Sequence, residues 1–261
     1  MRTLSIAATG MMAQQTNVEV ISNNIANMNT TAYNRRRPEF TDLLYQNIQR
    51  IGTTSSDMGT IVPSGIQLGL GVKTTAVYRI TEPGSLQNTN NTLDLAVQGR
   101  GYFKVLLPSG EYAYTRDGTF QLSPTGQIVT QQGYQVMPGI SIDNNATGVT
   151  IDTTGQVNEN LSGQITPAIK GQFTITIFPN DAGLEATGDN LFLATPASGN
   201  PLDATPGKPG YGTILQGYLE TSNVNVVSEV TDLISAQRAY EMNSKVIQAA
   251  DEMLNTVNQL K

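Results

Sequence analysis

Residues 226–260 read VVSEVTDLISAQRAYEMNSKVIQAADEMLNTVNQL, and this stretch decides the fold. Val226, Leu233, Tyr240, Ile247 and Leu254 recur every seven residues, the spacing of a single stripe along an α-helix. Ala236, Ala250 and Val257 stand three residues on from members of that row. Asn225 precedes the run as an N-cap, with Glu229 near the positive end of the helix dipole. The spacing predicts one unbroken helix of roughly 52 Å, ending near Leu260. A patterned helix of that length without a break implies coiled-coil-like packing.

The same rhythm occupies the other end of the chain. Leu4, Met11, Val18 and Ile25 recur every seven residues, and Ala7, Ile21 and Met28 form an adjoining row that Gln14 interrupts. This predicts a helix over residues 3–28, closed by Asn27-Met28-Asn29, where asparagine suits a left-handed cap. Asn23, Asn24 and Asn27 crowd its last turns, although asparagine is a poor helix former. They read either as a frayed end or as amides that bond neighbouring subunits. Neither stripe can be buried by its own helix. The two must meet each other, other copies, or both, as in a building block of an assembly.

Composition narrows the function classes. The chain has 261 residues, 38% of them apolar and only 14% charged. Its net charge of −6 argues against sequence-independent nucleic-acid binding, which needs clustered Lys and Arg. Cysteine, histidine and tryptophan are all absent, which excludes disulfides, thiolate or imidazole zinc sites, and Ser-His or Cys-His nucleophile pairs. No apolar run is long enough to span a bilayer, so no membrane insertion is expected. A cleaved secretory signal is not expected either, because Thr9, Gly10, Gln14 and Gln15 interrupt the first apolar run.

Between the helices the period changes. Tyr33 to Pro38, with Arg35, Arg36 and Arg37, reads as a connector whose arginines are solvated or paired with nearby acids. Phe40, Leu43, Leu44 and Ile48 mark a short amphipathic piece, and residues 51–60 read as a Ser/Thr/Gly loop. From about residue 66 the period is two, and turn signals such as Asp117-Gly118 recur every 8–12 residues. The expected fold is α+β: long terminal helices packed as a coiled-coil-like pair, around a central, mainly antiparallel β domain. The expected division is residues 1–30 with 224–261 as a helical assembly domain, 31–65 as connector, and 66–223 as the β domain.

Chemistry-bearing motifs are weak. Gly69-x-Gly71 and Gly99-x-Gly101 lack the third glycine of a dinucleotide loop and open no helix, so both read as strand bends. Asp94, Asp117, Asp152, Asp181 and Glu185 could supply a carboxylate pair for glycoside hydrolysis, but Asp117 and Asp181 sit at turns, where aspartate has a conformational reason to be. Tyr102, Tyr112, Tyr114 and Tyr134 could stack on a sugar, yet such tyrosines more often pack a β core. No catalytic, cofactor or metal site is expected.

Taken in order, several segments resemble a known family. Ser22-Asn23-Asn24-Ile25-Ala26-Asn27 is close to an Asn-Asn-x-Ala-Asn signature. Gly99-Arg100-Gly101-Tyr102-Phe103 is followed by Tyr114-Thr115-Arg116-Asp117-Gly118-Thr119-Phe120. Gly217 to Asn225 and Gln237-Arg238-Ala239-Tyr240-Glu241 complete the set. These segments resemble the rod and hook axial proteins of the bacterial flagellum, over nearly the whole chain. The stretch from Phe40 through Pro63 resembles the insertion of the distal-rod members, which hook proteins generally lack.

The resemblance implies a structural subunit of the distal rod, not an enzyme, that polymerises into a rigid hollow helical shaft carrying motor torque to the hook. It implies self-assembly through Leu4, Met11, Val18, Ile21, Asn23, Asn24, Ile25 and Asn27 at the front. At the back the implied residues are Val226, Leu233, Tyr240, Ile247 and Leu254. A stiffening, rod-specific segment would include Gln46, Ile51, Ser55, Ser56, Asp57 and Pro63. Implied partners are further copies of the chain, proximal rod and hook proteins, the surrounding rings of the outer membrane and peptidoglycan layer, and the flagellar export apparatus. The implied location is the basal body in the periplasmic space, reached without a cleaved signal, with no cofactor and no nucleic acid. The alternatives are a hook or proximal rod subunit, or a secreted β-rich carbohydrate-binding or hydrolytic protein, which would have no use for heptads at both ends.

Overall fold

Both terminal stripes fold as helices in the computed structural model, which describes residues 2–49, 65–143, 145–161 and 166–259. Helix α1 spans Arg2–Ala26 and helix α2 spans Val226–Gln259, so the chain is α+β with mainly antiparallel strands between the helices. Asn225 caps α2 as expected: its Oδ1 accepts the N–H groups of Val227 and Ser228 at 3.1 and 3.3 Å. Beyond the other helix, Asn27 makes a turn in which its carbonyl accepts the Thr30 N–H and its Oδ1 accepts the Thr30 hydroxyl. No helix among the described residues is long and apolar enough to cross a membrane.

The chain divides into two compact units. One joins Met1–Ala26, Arg36–Arg79 and Asn225–Lys261; the other joins Asn27–Arg35 and Ile80–Val224. The sequence division differs: the segment from Arg36, expected in a separate connector, groups with the helices. Residues 66–79, expected in the β domain, group with the helices, and the short 27–35 segment groups with the β body. The amphipathic piece that begins at Glu39 is extended over its described residues, 39–49. Strand β1 (Arg36–Asp42) pairs antiparallel with β4 (Val72–Arg79), and β2 (Tyr45–Gln49) with β3 (Ile66–Gly69). Backbone pairing with strands far along the chain overrides the helical spacing of Phe40, Leu44 and Ile48, a signal no local window contains.

The helical unit is built around α1. Thr9 Oγ1 accepts the Val72 N–H at 3.4 Å, and Asn24 binds the backbone of Arg36. Thr9 to Asn24 covers about 22 Å of helix, and Arg36 to Asp42 covers about 20 Å of strand. The β1–β4 ribbon therefore runs back along α1, with its two ends fixed by these side chains.

In the β unit, the strand Tyr102–Leu106 is the centre of the nine-stranded sheet. One edge pairs with Tyr112–Thr115; the other is shared by Ile175–Ile177 and Gln135–Val136. Successive residues of that strand face opposite sides. Phe103 enters a core with Phe120, Phe173, Val97 and Ile214, while Tyr102 enters a second cluster with Tyr114, Phe178, Leu184 and Phe192. Edge-to-face ring pairs at 4.8 to 6.3 Å knit both clusters. Tyr102 and Tyr114 are thus core residues, and Tyr112 lies under the Lys104 ammonium at 4.3 Å.

Candidate assembly surface

Two contacts set how α1 and α2 pack. Asn24 Nδ2 donates to Glu229 Oε2 at 3.0 Å. At Gly10 an added Cβ would lie 3.0 Å from Asn243 Nδ2. Fourteen residues separate the two contact points on each helix, in opposite directions, so the helices are antiparallel in a single register. Residues seven apart share a face, which places Asn17 level with Ala236 and Thr3 level with Ala250. Glu229, Ala236 and Ala250 are buried, as are Ala7, Ala13, Ile21 and Asn24 on α1. Apart from Ile21, the buried residues of the two helices are therefore small or polar, and Gly10 and the alanines permit close approach of the backbones at the seam between them.

The expected assembly residues sit mostly beside that seam. Leu4, Met11, Val18 and Ile25 are half-buried and Ile21 is buried, whereas Asn23 is exposed. On α2, Val226, Tyr240 and Leu254 are exposed, and Leu233 and Ile247 are half-buried. Val227, Val230, Ile234, Met242, Val246 and Met253 add further exposed apolar surface along α2. The row nominated from sequence is offset by three positions from the row that meets α1, so the larger apolar side chains remain open along the helix.

Asn24 does a job that sequence reading did not assign. Its Nδ2 donates to the Arg36 carbonyl at 2.8 Å and its Oδ1 accepts the Arg36 N–H at 2.9 Å. It imitates a strand neighbour for the first residue of β1 while also bonding Glu229. Of the rod-type segment, Gln46 lies on β2; Ile51, Ser55, Ser56, Asp57 and Pro63 lie outside the described residues. The β2–β3 ribbon is rich in exposed apolar groups: Leu44 at 83%, with Tyr45, Ile48, Ile66 and Leu68. A two-stranded ribbon is marginal alone in water and gains from a covering partner. An open groove of about 510 Å³ lies between α1 and the β1–β4 ribbon, lined by Met12, Ala13, Thr16, Leu43 and Val72 among others.

The β unit carries the other sequence markers as structural joints. Arg116 spends all five N–H donors: on Glu220 at 2.8 Å, on Gly99 twice, and on the carbonyls of Gly101 and Val97. Gly99 and Gly101 have φ of +108° and +142°, which turns their carbonyls toward it at no side-chain cost. Glu220 Oε1 accepts the Gly84 N–H, and its carbonyl accepts the Ala32 N–H. Asp117 holds Thr119 and Asn190, and Asn190 also donates to the Thr31 carbonyl. Asn223 accepts from the Arg35 N–H and donates to the carbonyls of Ile80 and Glu82. These side chains rivet segment 27–35 to the β body. Three more of the candidate carboxylates are engaged in the same way: Asp94 by Thr89 and Asn91, Asp152 by Thr153, and Asp181 by Arg100.

Three family models match the chain. They are described as flagella basal body rod protein, over residues 4–33; flagellar hook protein FlgE/F/G D1 domain, over 96–159; and flagellar basal body rod FlgEFG protein C-terminal, over 215–260. The flagellar basal-body rod protein FlgG of Caulobacter vibrioides is 59% identical over 261 residues, covering 100% of both chains. That of Agrobacterium fabrum is 52% identical over 258 residues, covering 99% of this chain and 98% of its own. That of Bacillus subtilis is 37% identical over 267 aligned positions, covering 100% and 99%.

Proposed function

The chain belongs to the flagellar basal-body rod protein family, and on that premise we propose that it is a structural subunit of the flagellar rod that polymerises through its two terminal helices. The observation that carries this reading is the division of labour on those helices. Mostly small and polar residues are buried on the two helices, while Val226, Tyr240 and Leu254 are exposed and Leu233 and Ile247 only half-buried, which leaves apolar surface for other copies. Burial of such side chains is worth roughly 1.5–3 kcal/mol each, enough for several together to drive association. Contacts between different surfaces of identical subunits generate an open helical filament when the rotation between neighbours does not close into a ring.

The finer reading is a distal-rod subunit. Coiled-coil-like bundling of the helices builds the wall of a hollow shaft. The segment 46–63 stiffens the tube through contacts between copies, a role suited to the apolar side chains of β2 and β3. Partners are further copies, proximal rod and hook proteins, the surrounding rings, and the export apparatus, in the periplasmic part of the basal body. Its work is mechanical and uses no cofactor.

Leu233→Asp or Ile247→Asp tests the reading. Either variant should remain monomeric by sedimentation at concentrations where the parent chain polymerises, with the near-ultraviolet circular dichroism of the β unit unchanged. Polymers as abundant as the parent's would rule out the helix-driven mechanism.

A further inference from the structure

Both helices repeat every seven residues, so sliding α2 along α1 by one heptad would bring similar rows back together. The seam discriminates weakly between such alignments, because Gly10, Asn17, Ala236, Asn243 and Ala250 are small or uncharged. Beside the close approach of Asn243 to Gly10, a buried polar contact singles out one alignment. Asn24 is 1% exposed and Glu229 5% exposed, and their 3.0 Å hydrogen bond lies within the seam. Asn24 cannot travel with α2, because both polar atoms of its amide hold the backbone of Arg36 on β1.

Each slip has a definite cost. Moved one way, Glu229 passes beyond the end of α1, level with Thr31, and the Asn24 amide faces Ala236. Moved the other way, Glu229 meets Asn17, while Asn24 faces Ser222, before the start of α2. Either slip breaks a buried hydrogen bond to a charged group, and the first leaves the Asn24 donor against a methyl group.

We propose that Asn24 and Glu229 are positioning residues for assembly: their buried hydrogen bond fixes the axial register of α2 against α1 and the β1–β4 ribbon. A slip of one heptad moves the outer row of α2 by about 10.5 Å, so the register sets the height at which that row meets the next copy. This consequence rests on the polymerisation reading; the register itself does not.

The absence of cysteine makes the test direct in the full-length chain. Gly10→Cys with Asn243→Cys reports the native register, and Gly10→Cys with Ala236→Cys or with Ala250→Cys reports the two slips. Each pair is oxidised and mapped by peptide mass spectrometry in three backgrounds: parent, Asn24→Leu/Glu229→Leu, and Glu229→Gln, which keeps an acceptor oxygen. The native bridge should dominate in the parent and in Glu229→Gln. In the double leucine background the share of slipped bridges should rise about tenfold or more, the size of losing a buried hydrogen bond to a charged group. An unchanged native bridge there overturns the proposal. Loss of every bridge also overturns it, since the pair would then hold the fold and not the register. Sedimentation of the parent chain is scored separately: native bridging without polymer would overturn the assembly reading while leaving the lock in place.

Discussion

Arg116 shows how much one side chain can hold. Its five donors and the carboxylate of Glu220 tie together the backbones at 84, 97, 99 and 101. Arg116→Met strands a buried carboxylate and leaves the carbonyls short of donors. It should cost about 3–5 kcal/mol, read as a lower urea midpoint of the β unit. Lys104 and Asp203 make a second, more exposed joint at 2.9 Å, with Thr176 donating to Asp203 at 2.6 Å. Burial pulls the Lys104 pKa down, but the hydrogen bond and charge of Asp203 outweigh it and hold the value above that of a free lysine. Burial likewise pushes Asp203 up, but the Thr176 and Lys104 hydrogen bonds bring it below a free aspartate. A raised lysine contributes fully below about 10.4 and loses its contribution as pH climbs through the folded value; a lowered aspartate contributes above about 3.9 and loses it as pH falls. The pair should therefore stabilise the chain across the neutral range and fail at both extremes. Urea midpoints of Lys104→Met/Asp203→Asn should depend less on pH at both ends than those of the parent. Neither joint was legible in advance, because a sequence shows a charged residue without showing what surrounds it.

At the scale of elements, what repeats locally was legible. The two helices follow from apolar periodicity, and the start of α2 follows from Asn225; α1 stops at Ala26, two residues short of the expected end, and none of Asn27, Met28 and Asn29 takes the left-handed conformation expected there. Asn225→Ala should cost about 1 kcal/mol and speed hydrogen exchange at Val227 and Ser228, whose N–H groups it caps. Equal exchange in the two chains would mean that the first turn is held by packing. The seam was not legible. The largest apolar row looks like the natural interface, but the chain uses the row three positions along, where alanine, glycine and a buried Asn–Glu bond permit closer approach. The β1–β4 ribbon was hidden for another reason. The alternation from about residue 66 marks β4, but its partner β1 lies a long stretch of chain away, and nothing local to either strand names the pairing. Asn24 was singled out for its residue type, but its bonds to Arg36 depend on a strand that sequence reading placed in a connector.

At the scale of the molecule, one unit is a polar-surfaced β body and the other carries apolar faces larger than its own fold consumes. Only 14% of the residues are charged, so association of those faces meets little electrostatic opposition. The family was legible at this scale because its markers are the joints themselves: the Arg116 loop, the Gly99–Gly101 bend and the Glu220–Asn225 approach to α2. The most direct test is negative-stain electron microscopy of the full-length chain at rising concentration, unseeded and seeded on isolated basal bodies, beside Ile247→Asp. Straight tubes from the parent chain, and none from Ile247→Asp, are the expected result. A parent chain that stays monomeric even when seeded, or tubes that form equally from the variant, would contradict the account.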